Sequence, residues 1–219
     1  PLNIQCSFFE AETDCPAAIL GPVFSSKDPQ ALQAFIASAE VFSLEFENTP
    51  VADVDVLTQT KTLHPPRLAL ATAQNRLAEK GLFDELAIPV APYRAVDSLE
   101  SLKQAVAELG LPIVLKTVTG GYDGKGQFVL RSEDQIDTAW AELGPAKSLI
   151  AESFVKFSRE VSIIAVRGQD GDVKTWALAE NHHHNGILSH SIVPAPNSTD
   201  LQPVAQDYIT RLLNHLNYV

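Results

Sequence analysis

Pro112-Ile113-Val114-Leu115-Lys116-Thr117-Val118-Thr119-Gly120-Gly121-Tyr122-Asp123-Gly124-Lys125-Gly126-Gln127-Phe128-Val129-Leu130 decides how the rest of this chain reads. An apolar run ends in a lysine, a glycine-rich turn follows, and a second apolar run leads away. That pattern describes a β-hairpin with an oversized tip and a cation at its base. Glycines at 120, 121, 124 and 126 let backbone N–H groups crowd towards an anion, because no Cβ blocks the approach. Lys116 and Lys125 add positive charge at the two ends of the loop, and together these features point to a polyphosphate. A Walker A loop is excluded, since Gly126 is followed by Gln127 and a strand where Lys-Ser/Thr would have to open a helix. The dinucleotide fingerprint also requires a strand-to-helix turn and is excluded with it. The plainer alternative is a glycine-rich surface hairpin with two solvated lysines, and the choice rests on what lies around it.

Downstream, Ser148-Leu149-Ile150-Ala151-Glu152-Ser153-Phe154-Val155 reads as a strand whose apolar run ends in a carboxylate. Such a strand suits an adenine hinge, in which a carboxylate or carbonyl accepts from the exocyclic amine and a backbone N–H donates to the ring. Glu160 opens the next strand, Val161 to Val166, where a carboxylate can accept from ribose hydroxyls. Each glutamate alone reads equally well as a solvated strand end. Asp170-Gly171 turns a hairpin into Val173–Leu178. In Glu180-Asn181-His182-His183-His184-Asn185-Gly186, consecutive residues of an extended segment point to opposite faces, which argues against a shared metal. His182 and His184 are expected in an exposed turn. Leu201, Val204, Ala205, Tyr208, Ile209, Leu212 and Leu216 form the stripe of a helix that packs on a sheet.

Upstream, residues 1 to about 62 alternate short strands and helices. Asp28 is expected to cap a helix with Pro29 at its first position and Leu32, Phe35, Ile36 and Ala39 as its buried stripe. Val41–Phe46 reads as a strand and Val54–Leu57 as a further short one. This is βαβ material from an open parallel sheet that lacks its first strand and glycine turn. A helix is expected from His64-Pro65-Pro66 through Leu68, Ala71, Asn75 and Leu77 towards Leu86, with Arg76 on a solvated face. Ile88–Tyr93 is an extended connector. Asp97-Ser98-Leu99-Glu100 reads as a capping box for a helix lined by Leu99, Leu102, Val106 and Leu109 and stopped at Gly110. Ser132-Glu133-Asp134-Gln135 opens another helix, lined by Ile136, Ala139, Trp140 and Leu143. Two strands and two helices then make a small α+β flap from about 90 to 147.

Composition narrows the class. The 219 residues suffice for one large domain or two small ones, and 45% hydrophobic content with mean hydropathy near zero is ordinary for a globular protein. A net charge of −11 argues against a nucleic-acid partner, so phosphate binding must depend on a few placed cations and backbone amides. Cys6 and Cys15 are too few and too unpatterned for a disulfide scaffold or zinc site, and a reduced, cytoplasmic setting is expected. No run reaches transmembrane length and no signal-peptide pattern is present, so no membrane partner is expected. The chain has no methionine, begins Pro1-Leu2-Asn3 and stops at Leu216-Asn217-Tyr218-Val219, which reads as an internal piece of a longer protein.

Lys116 on a strand followed by Thr119-Gly120-Gly121-Tyr122-Asp123-Gly124-Lys125-Gly126-Gln127 resembles the phosphate loop of ATP-grasp enzymes. Phe46-Glu47-Asn48, Asn75-Arg76-Leu77-Ala78-Glu79-Lys80 and Arg159-Glu160-Val161-Ser162 fall in the same order, so the resemblance runs through nearly the whole chain. Within that family the loop is most similar to members that carboxylate aminoimidazole ribonucleotide in purine biosynthesis. The resemblance implies a mixed α/β and α+β chain: a partial Rossmann-like domain over 1–62, a linker helix and small flap subdomain over 63–147, and an incomplete large subdomain over 148–219. It implies a ligase that uses ATP to turn bicarbonate into carboxyphosphate, whose carboxyl group the exocyclic amine of 5-aminoimidazole ribonucleotide captures, with ADP and phosphate released. It places Arg76, Lys116, Gly121, Gly124, Gly126 and Gln127 on phosphate, and Glu152, Ser153, Phe154 and Val155 on adenine. Glu160 falls on ribose and His183 near the nucleotide. Tyr122, Asp123 and Lys125 meet ribonucleotide and bicarbonate and, with Lys116, are the catalytic candidates. Magnesium is implied, with ligands expected beyond Val219 and none assigned here, and so is a homodimer. Another ATP-grasp ligase or transformylase, and a nucleotide-binding module without turnover, remain as rival readings.

Overall fold

The computed structural model describes residues 4–120, 126–144, 148–184 and 186–219. The chain forms two compact units, Pro1–Leu70 and Ala71–Val219. No helix among the described residues is long and apolar enough to cross a membrane.

In the first unit β1 (Phe8–Glu10) pairs in parallel with β2 (Val23–Ser25), and β3 (Val41–Ser43) pairs in parallel with β4 (Thr62–His64). Between β2 and β3 lies α1 (Ala31–Ala37), and between β3 and β4 lies α2 (Val51–Thr58). Ile36, Phe42, Val54, Leu57 and Leu63 form the core, with Leu32, Phe35 and Ala39 packed against it as the stripe predicted. Phe35 meets Phe42 edge-on at 5.0 Å. Three expectations need correction. Val54–Leu57 is the body of α2, not a strand: Val54 and Leu57 are buried three residues apart on one helical face, and the Thr58 hydroxyl donates to the Val54 carbonyl at 2.8 Å. Burial of that pair outweighs the β preference of alternating valines. Asp28 closes the turn before α1 and does not cap it, its carboxylate accepting from Gln30 N–H at 2.9 Å. The strand expected over 41–46 stops at Ser43.

The helix expected from 64 to 86 is two helices, α3 (Arg67–Ala73) and α4 (Arg76–Glu85). Asn75 separates them. Its backbone is extended and its side-chain oxygen accepts from Leu77 and Ala78 N–H at 3.0 Å, so it caps α4.

The second unit is built on a four-stranded sheet in the order β5 (Tyr93–Val96), β8 (Leu149–Ser153), β6 (Ile113–Thr117), β7 (Gln127–Leu130). All three pairings are antiparallel, and the hairpin of β6 and β7 is the one read from sequence. The sheet has four strands where two were expected, because residues 93–96 continue the extended connector into β5 and β8 joins between β5 and β6. One face carries Ile113, Leu115, Leu149 and Ala151 against Leu102, Ala105 and Val106 of α5 (Leu99–Leu109) and Ile136, Ala139 and Leu143 of α6 (Ile136–Leu143). Strand alternation leaves Val114, Lys116, Ile150 and Glu152 for the opposite face. The cap of α5 lies one residue later than expected. Ser98 and Ser101 make the reciprocal box, and Asp97 accepts from the Ser101 hydroxyl at 3.1 Å. Gly110 (φ 71°) ends α5 and Gly144 (φ 79°) ends α6, in backbone regions that favour glycine.

Beyond β8, β9 (Glu160–Ser162) and β13 (Ile187–Ile192) flank β12 (Ala179–His184), while β10 (Ala165–Arg167) and β11 (Val173–Thr175) form a hairpin through Gly171. The single strand expected over 161–166 is therefore interrupted. His182–His184 lie in a strand, not in an exposed turn, and His182 stacks on His190 of β13 at 4.6 Å. The last helix, α7 (Leu201–His215), buries Leu213 and is followed by buried Leu216, while Leu201 and Val204 of the expected stripe are exposed. Ala205, Tyr208, Ile209 and Leu212 of that stripe are half-buried, and polar side chains add to their hold: Gln202 bonds to Leu178 N–H and the Trp176 carbonyl, and Gln206 bonds to the Thr175 hydroxyl.

Candidate functional site

The site grows from the end of β6. Lys116 lies on the sheet face opposite α5 and α6 and reaches the Glu152 carboxylate at 3.1 Å. Glu152, 8% exposed, is the one buried charged residue among the described residues. Its register explains the meeting: Glu152 lies opposite Val114 on β6 and opposite Tyr93 on β5, so Lys116 is its diagonal neighbour on one sheet face. A second ammonium, that of Lys80 on α4, lies 3.6 Å from the same carboxylate oxygen and 5.7 Å from the Tyr93 ring centroid. Lys80 stands outside the predicted set. A lysine on an amphipathic helix reads as solvated, and only the approach of α4 to this face changes that.

The start of α4 clamps the end of β6. Arg76 N–H donates to the Val118 carbonyl at 3.0 Å, and its guanidinium donates to the carbonyls of Thr117 at 2.9 Å and Gly120 at 2.7 Å. Arg76 is thus not a solvated helix residue but a cation fixed where the glycine-rich segment departs. Gly120 (φ 67°) and Gly126 (φ 72°) bracket that segment, and the Gly126 carbonyl accepts from Thr117 N–H at 3.0 Å. Gln127 opens β7 opposite Lys116. Gly121, Tyr122, Asp123, Gly124 and Lys125 lie outside the described residues. Glu79, beside Lys80 on α4, has its carboxyl held above the usual range by burial, with Lys80 and Arg76 pulling the other way.

Past Glu152 the chain leaves the sheet. Ser153 N–H donates to the Pro92 carbonyl at 2.9 Å and Phe154 N–H to the Pro112 carbonyl at 3.1 Å. The Phe154 ring takes the Arg131 guanidinium at 5.7 Å, and Val155 is 54% exposed. Glu160 and His183 meet on another sheet, Oε1 to Nδ1 at 3.5 Å, because β9 pairs with β12 and puts them diagonally on one face. The predicted residues thus gather into two constellations: Arg76, Lys116 and Glu152 at the mouth of the hairpin, and Glu160 with His183 beyond it. Among the described residues, no group of three or more His, Cys, Asp or Glu side chains is arranged to hold a metal ion. A cavity of about 560 Å³ in the first unit is lined by Phe8, Phe35, Phe42, Glu45 and Asp53. No lysine or arginine lines it among the described residues, so it offers nothing to a polyphosphate.

Residues 81–219 match the ATP-grasp domain, and residues 1–74 match the ribonucleotide synthetase preATP-grasp domain. The chain is 38% identical over 221 residues to the N5-carboxyaminoimidazole ribonucleotide synthase of Pseudomonas aeruginosa, covering all of this chain and 61% of that protein. The crystal structure of N5-carboxyaminoimidazole ribonucleotide synthetase from Thermus thermophilus superposes with a TM-score of 0.92 at 37% identity, over all of this chain and 60% of that one. The Staphylococcus aureus synthetase complexed with ADP gives 0.88 at 27% identity, over 95% of this chain and 56% of that one. The chain therefore spans about three fifths of the length of such relatives.

Proposed function

The chain belongs to the ATP-grasp family, and from that premise we propose that it is the nucleotide-binding part of a ligase that carboxylates 5-aminoimidazole ribonucleotide. ATP would phosphorylate bicarbonate to carboxyphosphate, the ribonucleotide's exocyclic amine would attack its carboxyl carbon, and ADP and phosphate would leave. The observation that carries this reading is the convergence of Lys116, Glu152 and Arg76 at the root of a glycine-rich hairpin. Two of these are cations at a strand end, and the third is a buried acceptor on the adjoining strand. Lys116 offsets phosphate charge and Arg76 fixes the loop's root and supplies further positive potential. The segment from Glu152 to Val155 accepts the adenine amine and receives the ring edge. Glu160 holds the ribose hydroxyls, oriented by His183 at 3.5 Å. Gly121, Tyr122, Asp123, Gly124 and Lys125, with Gly126 and Gln127, are assigned to the phosphates and the acceptor.

The identity of the relatives supports the substrate, and their lengths make the whole enzyme's activity part of this proposal. Bicarbonate as carboxyl source, a homodimeric assembly and a cytoplasmic setting belong to it too. Magnesium would stabilise charge on the transferred phosphoryl group, but the described residues present no cluster that fits it. The deciding assay follows ADP release by the full-length protein with each substrate omitted in turn. Release that needs both bicarbonate and aminoimidazole ribonucleotide is expected. ADP release indifferent to the ribonucleotide would assign another acceptor, and ATP binding with no release under any combination would leave a binding module.

A further inference from the structure

Glu152 holds two ammonium groups with one carboxylate oxygen, Lys116 at 3.1 Å and Lys80 at 3.6 Å. The proposed reading requires Lys116 to turn towards phosphate. Its side chain is 27% exposed and sits at the strand end, so it can do so. Lys80 cannot follow easily. It is 14% exposed, it projects from the middle of α4, and the Tyr93 ring lies against it while the Tyr93 hydroxyl donates to Asp84 of the same helix at 2.8 Å. Arg76, one turn earlier, ties that helix to the end of β6 through two carbonyls. Lys80 is therefore the static partner of Glu152, and Lys116 the mobile one.

We propose that Lys80 is a positioning residue that keeps the Glu152 carboxylate compensated and in place, so that Lys116 can leave it for the nucleotide's phosphates. A buried carboxylate stripped of its only cation is strongly disfavoured. Without Lys80, Glu152 would hold Lys116 back, and the cost would fall on phosphate binding even though Lys80 itself touches no phosphate. With Lys80 present, Lys116 exchanges one anion for another and Glu152 still has a partner. The inference rests on the adenine nucleotide reading and adds to it the division of labour between the two lysines.

The test compares ATP with adenosine by titration calorimetry on the full chain. Lys80→Met keeps the apolar stem and removes the charge. ATP affinity should fall about a hundredfold, the scale expected for a desolvated charge pair that loses one member. Adenosine, which never asks Lys116 to move, should lose less than about threefold. Lys80→Arg should stay within about tenfold of wild type, and it keeps the test open if the methionine variant folds poorly. Adding Glu152→Gln to Lys80→Met releases Lys116 and should restore at least about tenfold of the lost ATP affinity, a coupling of the size neighbouring groups show. A parallel loss of ATP and adenosine would reduce Lys80 to a structural role and overturn the inference. Because Glu152 also accepts the adenine amine, the double variant's ATP affinity is read relative to its adenosine affinity, and no recovery of that ratio would put Lys80 on the phosphates directly and overturn the inference too. A wild-type chain that binds no ATP would overturn the nucleotide reading itself, a distinct result.

Discussion

Glu152 is buried in a sheet, and two lysines reach one of its oxygens; that redundancy sets what each substitution does. Lys116→Ala removes a phosphate cation but leaves Glu152 paired with Lys80. ATP affinity should fall about thirtyfold to a hundredfold, as for a buried charged partner, while the thermal midpoint shifts by no more than about 3 °C. Calorimetry and a circular dichroism melt measure the two separately, and an unchanged affinity would take Lys116 out of the site. Glu79 answers to pH. Its carboxyl is pushed up by burial, so the fold binds that proton more tightly than the unfolded chain does. The favourable contribution of the protonated form is complete below the unfolded value and is lost as pH rises through the folded one. Glu79→Gln should therefore raise the midpoint at pH 7 and leave it unchanged near pH 3; a lower midpoint at pH 7 would mean that pairing with Lys80 and Arg76 outweighs burial. The place of Lys116 at the base of a hairpin was legible in the sequence, because two apolar runs flank the glycine-rich segment. Lys80 was not, since nothing local says that its helix face meets the carboxylate of a strand far along the chain.

Elements were legible where one signal acts alone. The hairpin of β6 and β7 follows from two apolar runs around a glycine-rich turn, and α5 and α6 from their stripes and the glycines that stop them. Errors arose where two signals competed. Alternating valines hid α2, whose buried pair lies at helical spacing. A continuous stripe hid the break at Asn75, where a side chain outcompetes the backbone for two N–H groups. Strand β8 could be read as a strand but not as a neighbour of β5, because strand order is a long-range fact. Asn75 is also where an element and the site meet. It caps α4 immediately before Arg76, whose own N–H and guanidinium fix the end of β6. Asn75→Ala should cost about 1 kcal/mol of stability, the usual value of a lost cap, and should weaken ATP binding by loosening Arg76. Asn75→Asp keeps an acceptor and should restore both. Loss of stability without loss of affinity would separate the cap from the site.

At the scale of the whole chain, a net charge of −11 must admit a polyanion. Arg76, Lys80 and Lys116 stand against Glu79 and Glu152 at the hairpin root, a small positive excess in a strongly negative molecule. The two fields differ in range. The site's own attraction acts over a few ångströms between partly buried groups, where salt screens it little. The repulsion comes from charges spread over the whole surface. At about 10 mM salt the Debye length is about 30 Å and most of that repulsion reaches the ligand, whereas at about 150 mM it is about 8 Å and most is lost. A protein that draws anions with an exposed basic surface loses affinity steeply over this interval. Here ATP affinity should hold or rise between the two salt concentrations, measured by calorimetry at constant pH. The association rate should rise more than affinity does, because distant charge acts chiefly on encounter. A loss of more than about threefold in affinity would mean that solvent-exposed cations carry the phosphate, and would move the binding site away from the partly buried lysines around Glu152.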